Sequence, residues 1–283
     1  MLSDVVAVLA CPHCAGSLTQ EDAALRCAAG HSFDIARQGY VSLLSGSGTA
    51  ASGDTAEMVA ARGRFLDAGH FAPLTSAVGA AVARAREGRP GECVLDVGAG
   101  TGHYLAAALE LCPDAVGLAV DASKAAARRA AHCHTRVGSV LADTWQALPI
   151  KDASVSVAMT VFAPRGADEL RRVLRSDGTL LVLTPTVRHL QELVAPLELL
   201  HVDERKPERL ERTMSPAFTR RSQTMLEFVM SLRHSDLDAL VGMGPSAWHS
   251  SAAVRAERIA AQPEPMSVTG SVLLSEYQPS TPD

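Results

Sequence analysis

From Glu92 onward, short runs of β-branched and aliphatic residues alternate with longer stretches whose apolar residues recur at helical spacing. Short apolar runs bounded by turn residues are typical of buried strands, and their alternation with helices indicates an open α/β sheet. The pattern predicts five strands, at residues 93–97, 115–120, 136–141, 154–161 and 180–183. The last of these follows a predicted helix at residues 167–175 and a predicted turn at Asp177 and Gly178.

Two further runs lie near the C-terminus, at residues 225–232 and 267–274. Both are long enough for strands, and we expect them to pair as a terminal hairpin. Together with the five earlier strands they complete a Rossmann-like α/β sheet of seven strands.

The sequence pattern of the N-terminal third predicts an organisation different from that of the α/β sheet. Small residues at 45–53 indicate a linker, and a helix follows that we expect to begin with a capping box at Asp54. A second helix begins near Pro73 and ends near Gly88. We therefore expect a small module at residues 1–44, a linker with helices at 45–90, and the α/β domain at 91–283.

Composition limits the class of protein. The chain has 283 residues, 47% of them hydrophobic and 20% charged, which is typical of a folded globular protein. No run of about 18 apolar residues is present, and residues 1–10 lack a basic leader, so we expect a cytoplasmic protein that does not bind membranes. The net charge of −5 means that any nucleic-acid partner would need a local basic patch.

Three of the six cysteines fall in the first tenth of the chain, with a histidine close behind. Cys11 and Cys14 are separated by two residues, and Cys27 and His31 by three. Two such pairs are the ligand pattern of a closed, four-coordinate zinc site. The spacing therefore predicts a structural Zn²⁺ that stabilises the small module, with unmetallated thiols as the alternative.

A glycine-rich segment follows the first predicted strand, which contains Asp96. Gly98, Gly100 and Gly102 lead directly into an Ala-rich helix. This GxGxG spacing differs from the GxGxxG of dinucleotide folds and is typical of class I S-adenosylmethionine methyltransferases. It allows the backbone to approach a ligand closely. A simple strand-to-helix turn is the alternative.

Acidic residues at the ends of the next two strands support the same cofactor. Asp121 ends the second strand, where a carboxylate can accept hydrogen bonds from both ribose hydroxyls. Asp143 follows the third strand and is placed to meet the adenine amine. We therefore expect S-adenosylmethionine rather than a nicotinamide or flavin cofactor.

The loop after the fourth strand narrows the chemistry. It contains Phe162, Ala163 and Pro164, and it lacks both the Asn/Asp-Pro-Pro-aromatic box of amine methyltransferases and a cysteine nucleophile. No Ser-His-Asp or paired-carboxylate pattern stands out elsewhere. The reactions left open are direct methyl transfers to a ring nitrogen, to an oxygen or to a carbon of a small molecule.

Several separate stretches resemble one family of methyltransferases. Beyond the cysteine–histidine cluster they are residues 30–34, 39–44, 56–58, Arg62, 64–71, Pro73, Leu74, 162–164, Thr184, Pro185 and 188–193. On these stretches, which are spread over most of the chain, it is similar to the zinc-containing 23S rRNA (guanine-N1)-methyltransferases, the RlmA-like family. Its composition resembles the branch found in macrolide-producing actinomycetes.

The resemblance implies methyl transfer to N1 of one guanine in a hairpin loop of 23S rRNA, with macrolide resistance in that branch. It also implies that Phe71, Gly102, His103 and His189 lie against the cofactor. From the residues alone, the alternative for Phe71 is an ordinary core aromatic at a helix end, and the alternative for His189 is a polar residue in the first turn of the helix after the fifth strand. No catalytic base is assigned, and the pairing of two chains as a homodimer is left open.

A local basic cluster is a candidate for RNA contact. Its members are Arg205, Lys206, Arg209, Arg212, Arg220 and Arg221. Interleaved acidic residues make a salt-bridged helix face the alternative. Arg26 and Arg37 of the small module are further candidates, and Trp145 and Trp248 could stack on bases.

Two other functions compete with an RNA methyltransferase. A small-molecule methyltransferase would use the same sheet but rarely needs a zinc module. A non-catalytic zinc-ribbon adaptor would not need an intact glycine loop and Asp121.

Overall fold

The computed structural model describes residues 1–45, 53–87, 92–163, 166–199, 201–244 and 252–280. Most of the predicted linker, together with Gly88, Pro164 and Trp248, lies outside the described residues.

The N-terminal segment contains a short helix and a small antiparallel sheet. Helix α1 (Leu2–Val5) continues into a 3-10 turn, and the sheet has the order β1-β2-β3. These strands are β1 (Leu18–Glu21), β2 (Ala24–Cys27) and β3 (Ser32–Asp34). The next strand, β4 (Tyr40–Ser42), leaves this sheet and joins the main one.

The rest of the chain alternates helices with the strands of the main sheet. The remaining strands are β5 (Cys93–Val97), β6 (Val116–Asp121), β7 (Val137–Leu141), β8 (Val155–Val161), β9 (Leu174–Pro185), β10 (Phe218–Leu232) and β11 (Met266–Pro279). The helices are α2 (Ala56–Asp67), α3 (Ala72–Ala85), α4 (His103–Glu110), α5 (Lys124–Ala130), α6 (Ala167–Val173), α7 (Gln191–Val194), α8 (Lys206–Met214), α9 (His234–Gly242) and α10 (Ala252–Ala260).

The main sheet has the order β10-β11-β9-β8-β5-β6-β7-β4. Strands β4 to β9 run parallel to one another, whereas β11 pairs antiparallel with both β9 and β10 at one edge. After β5 the chain builds first towards β7 and then returns to add β8 on the other side. The carboxyl end of β5 is therefore a topological switch point, where open α/β sheets bind ligands.

The structure confirms the Rossmann-like fold and the seven predicted strands, and it adds an eighth. The sheet has eight strands because β4 pairs with β7, with Tyr40 opposite Ser139. A three-residue strand carries too little alternation to be recognised locally, and its partner lies far along the chain.

Two other details of the prediction were wrong. The predicted turn at Asp177 and Gly178 lies inside β9, at a shift in register between β8 and β9. Helix α6 ends at Val173 rather than at Arg175, because the backbone of Leu174 already pairs with β8. Asp177 and Gly178, which suggested a turn, instead form part of a bulge in β9.

Apolar residues cover both faces of the main sheet, and β5 at its centre is buried along its whole length. One core cluster joins the sheet to α2, α3, α4 and α9, and the other joins it to α1, α6 and α8. No helix in the described part of the chain combines the length and the apolar character needed to cross a bilayer.

Candidate active site and metal centre

The four predicted metal ligands lie together beside the small N-terminal sheet. Cys11 Sγ is 3.5 Å from His31 Nδ1, Cys27 Sγ is 3.3 Å from the same nitrogen, and Cys14 Sγ is 3.7 Å from Cys27 Sγ. All four ligand atoms lie within 4.8 Å of one another. Two tight turns bring them together, and the second contains Gly30 at a φ of 87°.

These separations fit a tetrahedral zinc ion. With Zn–S bonds of about 2.3 Å, two sulfur ligands lie about 3.8 Å apart. The Cys14–Cys27 separation of 3.7 Å matches this edge of the tetrahedron. Four protein ligands leave no open position for a substrate, so the cluster is suited to a structural ion.

The predicted glycine loop connects β5 to α4 at the switch point of the sheet. Gly98, Gly100 and Gly102 have φ values of 75°, 56° and 75°, in the left-handed region that favours glycine. A Cβ at Gly98 would also collide with the side chain of Ala163. The Gly98 amide donates a hydrogen bond of 2.8 Å to the Val120 carbonyl, which fastens the loop to β6.

A cavity of about 350 Å³ opens beside this loop. Its walls come from α2, the glycine loop, the segments that follow β6, β7 and β8, and the residue that ends α9. Of the predicted cofactor residues, five line it: Phe71, Asp96, Gly98, Gly100 and Asp121. Both its size and its position at the carboxyl ends of the strands suit a small cofactor.

Asp121 is held rigidly at the edge of the cavity. Its Oδ2 accepts a hydrogen bond of 2.8 Å from the Gly100 amide, and its Oδ1 accepts one of 2.7 Å from the Ser123 amide. Burial raises the pKa of the Asp121 carboxyl, and these two amides partly offset that effect. Each carboxylate oxygen can accept a second hydrogen bond, so Asp121 can still bind a diol.

Asp96 is buried deeply in β5 and lines the same cavity. Its Oδ1 has no hydrogen-bond partner among the described residues. Burial, and then the negative charge of Asp121, raise the pKa of Asp96 to about 8. A buried carboxylate oxygen without a partner is costly, and a ligand that donates a hydrogen bond there would remove this cost.

Arg62 is a site residue to which the sequence analysis gave no role. It is the only cationic side chain in the described cavity lining. Its guanidinium pairs with Asp54 and donates from Nη2 to the Met243 carbonyl at 2.9 Å. A Cβ built on Gly100 would lie 3.2 Å from Arg62 Nη1, so the guanidinium rests against the glycine loop.

The start of α2 explains why Asp54 is available to Arg62. The helix is capped by Thr55, whose hydroxyl accepts a hydrogen bond of 3.3 Å from the Met58 amide. The predicted capping box at Asp54 was therefore wrong by one position. The sequence contained a signal for the position of Arg62. Met58, Arg62 and Leu66 are spaced four residues apart, which places Arg62 on the same helix face as two apolar residues.

The other predicted cofactor residues lie beside the cavity rather than in its described lining. Gly102 caps α4, and His103 Nε2 lies 3.1 Å from the Thr75 hydroxyl. Asp143 Oδ1 accepts a hydrogen bond of 2.9 Å from the Trp145 amide, in the loop that carries Trp145 into the lining. Contact between these residues and a cofactor stays a prediction.

His189 stands behind the aromatic wall of the cavity. Its ring stacks on Phe162 at 5.6 Å between centroids and lies 5.9 Å from Phe71. Its Nδ1 accepts a hydrogen bond of 3.2 Å from the Ser271 amide. Burial, and then the positive charge of Lys206, lower the pKa of His189 to about 4, so the ring is neutral at neutral pH.

Two exposed aromatic residues stand at the mouth of the cavity. Trp145 is 65% exposed, and Phe162 is 39% exposed. Phe162 follows β8 at a φ of 54°, a conformation that costs free energy for a residue with a side chain. These rings offer flat apolar surfaces on which a base can stack.

The charged groups of the described lining fit one kind of ligand. Asp54, Asp96 and Asp121 supply three carboxyl groups, and Arg62, which pairs with Asp54, supplies one guanidinium; a cation bound beside Asp96 would favour its ionised form. This set favours a ligand with a net positive charge that also carries one anionic group. S-adenosylmethionine has these features, with a sulfonium, an ammonium and a single carboxylate.

The predicted RNA-contact cluster on and after α8 is partly neutralised by its own acids. Arg209 pairs with Asp203 at 2.9 Å, and Arg220 pairs with Glu211 at 3.0 Å. These pairs follow the interleaved acidic pattern of the sequence and favour the salt-bridged alternative for this face.

Comparison with known protein families gives one match for the metal cluster and another for the cofactor cavity. The model described as "RlmA, N-terminal", a zinc ribbon, matches residues 9–46, and a "Methyltransferase domain" model matches residues 94–178. The first match contains all four metal ligands, and the second contains the glycine loop, Asp121 and Asp143.

Two relatives match the chain almost from end to end. A protein of Micromonospora griseorubida assigned as a 23S rRNA (guanine-N(1)-)-methyltransferase is 50% identical over 99% of this chain and 100% of its own length. The 23S rRNA (guanine(748)-N(1))-methyltransferase of Streptomyces fradiae is 47% identical, with 99% of both chains covered.

Solved structures support the fold. A protein of Bacillus halodurans C-125 assigned as a methyltransferase superposes with a TM-score of 0.50 at 16% identity. The match covers 71% of this chain and 99% of that one.

Proposed function

Because the chain belongs to the family of 23S rRNA (guanine-N1)-methyltransferases, we propose that it transfers a methyl group from S-adenosylmethionine to N1 of one guanine in a hairpin loop of 23S rRNA. The observation that carries the proposal is the cavity at the switch point, with its glycine loop and the carboxylates of Asp96 and Asp121. The near-complete match to relatives with this activity supports the choice of substrate.

The lining residues divide the work of holding the cofactor. Arg62 would bind the carboxylate of the amino-acid end through the N–H groups that Asp54 and the Met243 carbonyl leave unused. Asp96 would bind the ammonium, since its Oδ1 has no partner among the described residues. Asp121 would accept hydrogen bonds from the ribose hydroxyls. When bound, S-adenosylmethionine supplies a methyl group on a positively charged sulfonium.

Guanine N1 carries a proton at neutral pH that must leave when the new bond forms. The ring of His189 is neutral, but its Nδ1 already accepts a hydrogen bond from the Ser271 amide, and its ring contacts with Phe162 and Phe71 favour a supporting role. We assign no catalytic base to the chain. Its main contribution is to hold the acceptor nitrogen in line with the donor.

The target base must be unpaired or turned out of its stack, because N1 is hidden in a Watson–Crick pair. A hairpin loop supplies such a base. Phe162 and Trp145, exposed at the mouth of the cavity, are the aromatic surfaces that would receive it.

The zinc ion would stabilise the fold of the N-terminal segment predicted at residues 1–44 and would take no part in methyl transfer. Its four ligands fill the coordination sphere of the ion, which leaves no position for RNA or water. We propose that the metal stabilises this segment and that the segment helps to select the RNA hairpin.

The proposal is tested with purified protein, S-adenosylmethionine and unmethylated bacterial 23S rRNA, followed by primer extension with reverse transcriptase. A methyl group on guanine N1 blocks base pairing, so we expect one new stop at a loop guanine that depends on both enzyme and cofactor. A control with Asp121→Asn, which weakens ribose recognition, should lose most of the stop.

Other outcomes would each reject part of the proposal. Methyl incorporation without a stop would contradict N1 as the target atom. Cofactor binding without incorporation into RNA would favour a small-molecule methyltransferase. Absence of cofactor binding would favour a non-catalytic adaptor.

Two finer expectations stay predictions. A homodimer would be seen as a doubled mass in sedimentation equilibrium. Macrolide resistance would be seen as growth of a susceptible host that expresses the active chain but not the Asp121→Asn variant.

A further inference from the structure

A groove with an unusual charge lies on the outer side of α2. Its floor and walls come from α2, from α5 and from the turn between β3 and β4, and it has a volume of about 560 Å³. We call it the α2–α5 groove and define it by its polar lining residues: Gln38, Arg64, Asp67, Arg128, Arg129 and His132.

The groove keeps an excess of positive charge in a chain whose net charge is −5. Three arginines face one carboxylate, and that carboxylate, Asp67, pairs with Arg129 at 3.3 Å. Arg64 and Arg128 are exposed and have no ion-pair partner in the described part of the chain. The exposed Arg37, next to Gln38, extends the basic surface onto the zinc-binding unit.

In the cluster on and after α8, two of the arginines already have ion-pair partners. There Arg209 and Arg220 are each paired with a neighbouring carboxylate. Arginines that are already paired would have to exchange a carboxylate for a phosphate, whereas Arg64 and Arg128 would only lose water. The paired arginines of the α8 cluster therefore offer a polyanion a smaller net gain than Arg64 and Arg128 do.

The groove also lies where the zinc-binding N-terminal segment, predicted at residues 1–44, meets the α/β domain. The opposite side of α2, through Met58, Arg62 and Leu66, lines the cofactor cavity. The β3–β4 turn rests on α5 because the buried Tyr40 packs against Ala127. A ligand in the groove would thus contact both the zinc-binding unit and the helix that walls the cofactor cavity.

We propose that the α2–α5 groove binds the phosphate backbone of the RNA substrate, with Arg64 and Arg128 as its main contacts. The inference rests on the proposed function, and it adds the surface that holds the RNA. Guanidinium groups bind phosphate through paired hydrogen bonds, and each neutralised phosphate releases counterions. The contacts carry no sequence information, so they would position the hairpin rather than select the guanine.

The test uses the full-length, zinc-loaded chain and the 23S rRNA hairpin in which primer extension maps the methylated guanine. Affinity is measured from 0.05 to 0.5 M KCl (roughly the range over which counterion release dominates) for wild type and for Arg64→Gln/Arg128→Gln. We expect the salt slope of log affinity to fall by about 0.7 to 0.9 per lost contact, or about 1.4 to 1.8 for both. This equals roughly a 25- to 60-fold weaker affinity at 0.1 M KCl if the two lines meet at 1 M.

A matched control and a rescue make the result specific. Arg209→Gln/Arg220→Gln removes the same charge from two arginines of the α8 cluster that already have ion-pair partners, and it should leave the slope unchanged. Arg64→Lys/Arg128→Lys keeps the charge and should restore most of the slope. Cofactor affinity should equal that of wild type in every variant, since neither arginine lines the cofactor cavity.

The outcomes separate this inference from the proposed function. If wild type methylates the hairpin but the groove variant keeps the wild-type slope, the groove does not bind RNA and the inference is overturned. A loss of slope in the α8 variant alone would place the RNA there instead. If wild type methylates no RNA, the proposed function itself fails.

Discussion

At the scale of single residues, the charged side chains that line the cofactor cavity lie on different sides of it. Asp96 and Asp121 lie on the sheet side, whereas Arg62 reaches in from α2 and rests against the glycine loop. One cation among carboxylates is a specific feature, because only a ligand with its own anionic group gains from it. The position of Arg62 therefore predicts which part of the cofactor it recognises.

Replacing Arg62 by Ala should weaken S-adenosylmethionine binding by roughly 10- to 100-fold, the range expected for a lost charged hydrogen bond. Binding of decarboxylated S-adenosylmethionine, which has no group for Arg62, should stay the same or become tighter. Isothermal titration calorimetry measures both. Arg64→Ala, an exposed neighbour outside the cavity lining, is the matched control. An equal loss for both ligands would show that Arg62 only supports the fold.

Asp96 predicts a pH dependence of stability. Burial raises its pKa to about 8, so the folded protein holds a proton that the unfolded chain releases at lower pH. Ionising Asp96 in the fold costs free energy, and the contribution of this residue to stability falls as the pH rises towards 8.

Asp96→Asn cannot ionise and should remove this contribution. Between about pH 5.5 and pH 8, which lies within the window from the unfolded pKa of about 3.9 to the folded pKa of about 8, the melting temperature of the cofactor-free wild type should fall more than that of the variant. Differential scanning calorimetry at both pH values gives the comparison. Parallel pH profiles for the two proteins would contradict the raised pKa.

At the scale of elements, the N-terminal segment is held in two different ways. Residues 2–10 are tied to the α/β domain, since Val5 packs on Gly138 and the Lys151 amide donates to the Val8 carbonyl at 2.8 Å. Strand β4 is fixed by pairing with β7. Strands β1 and β3 bury few side chains, and we expect this small sheet to depend on the metal cluster beside it.

Chelation of zinc should therefore loosen only the middle of this segment. We expect amides at residues 11–34 to lose protection in hydrogen exchange, while those of α1 and β4 keep it. Cofactor affinity should change little, because no metal ligand lines the cavity. Adding zinc back should restore protection. A loss of cofactor binding on chelation would show that the metal supports the α/β domain as well.

At the scale of the whole molecule, one sheet connects all the parts. Its edges are β4 from the N-terminal segment and β10 from the C-terminal hairpin, and the cofactor cavity lies above β5 near the middle. The zinc-binding unit is therefore continuous with the sheet rather than joined through the linker alone. The predicted domain limits at residues 44 and 90 stay predictions, and the exchange experiment bears on the first of them.

The sequence by itself determined the parts whose signal is local. Seven strands, the glycine loop, Asp96, Asp121 and the four metal ligands follow from short apolar runs and from spacings within one turn or one strand. Such patterns are set by backbone geometry over a few residues, so a single sequence displays them.

Only the tertiary structure decided what distant segments do together. The pairing of β4 with β7, the position of Arg62 on the glycine loop and the grouping of Arg64 with Arg128 join residues that are far apart in the chain. Their positions depend on how helices pack on the sheet, and no local spacing encodes that packing. The same packing stacks the ring of His189 on Phe162, behind the described cavity lining, and the contact of His189 with the cofactor stays a prediction.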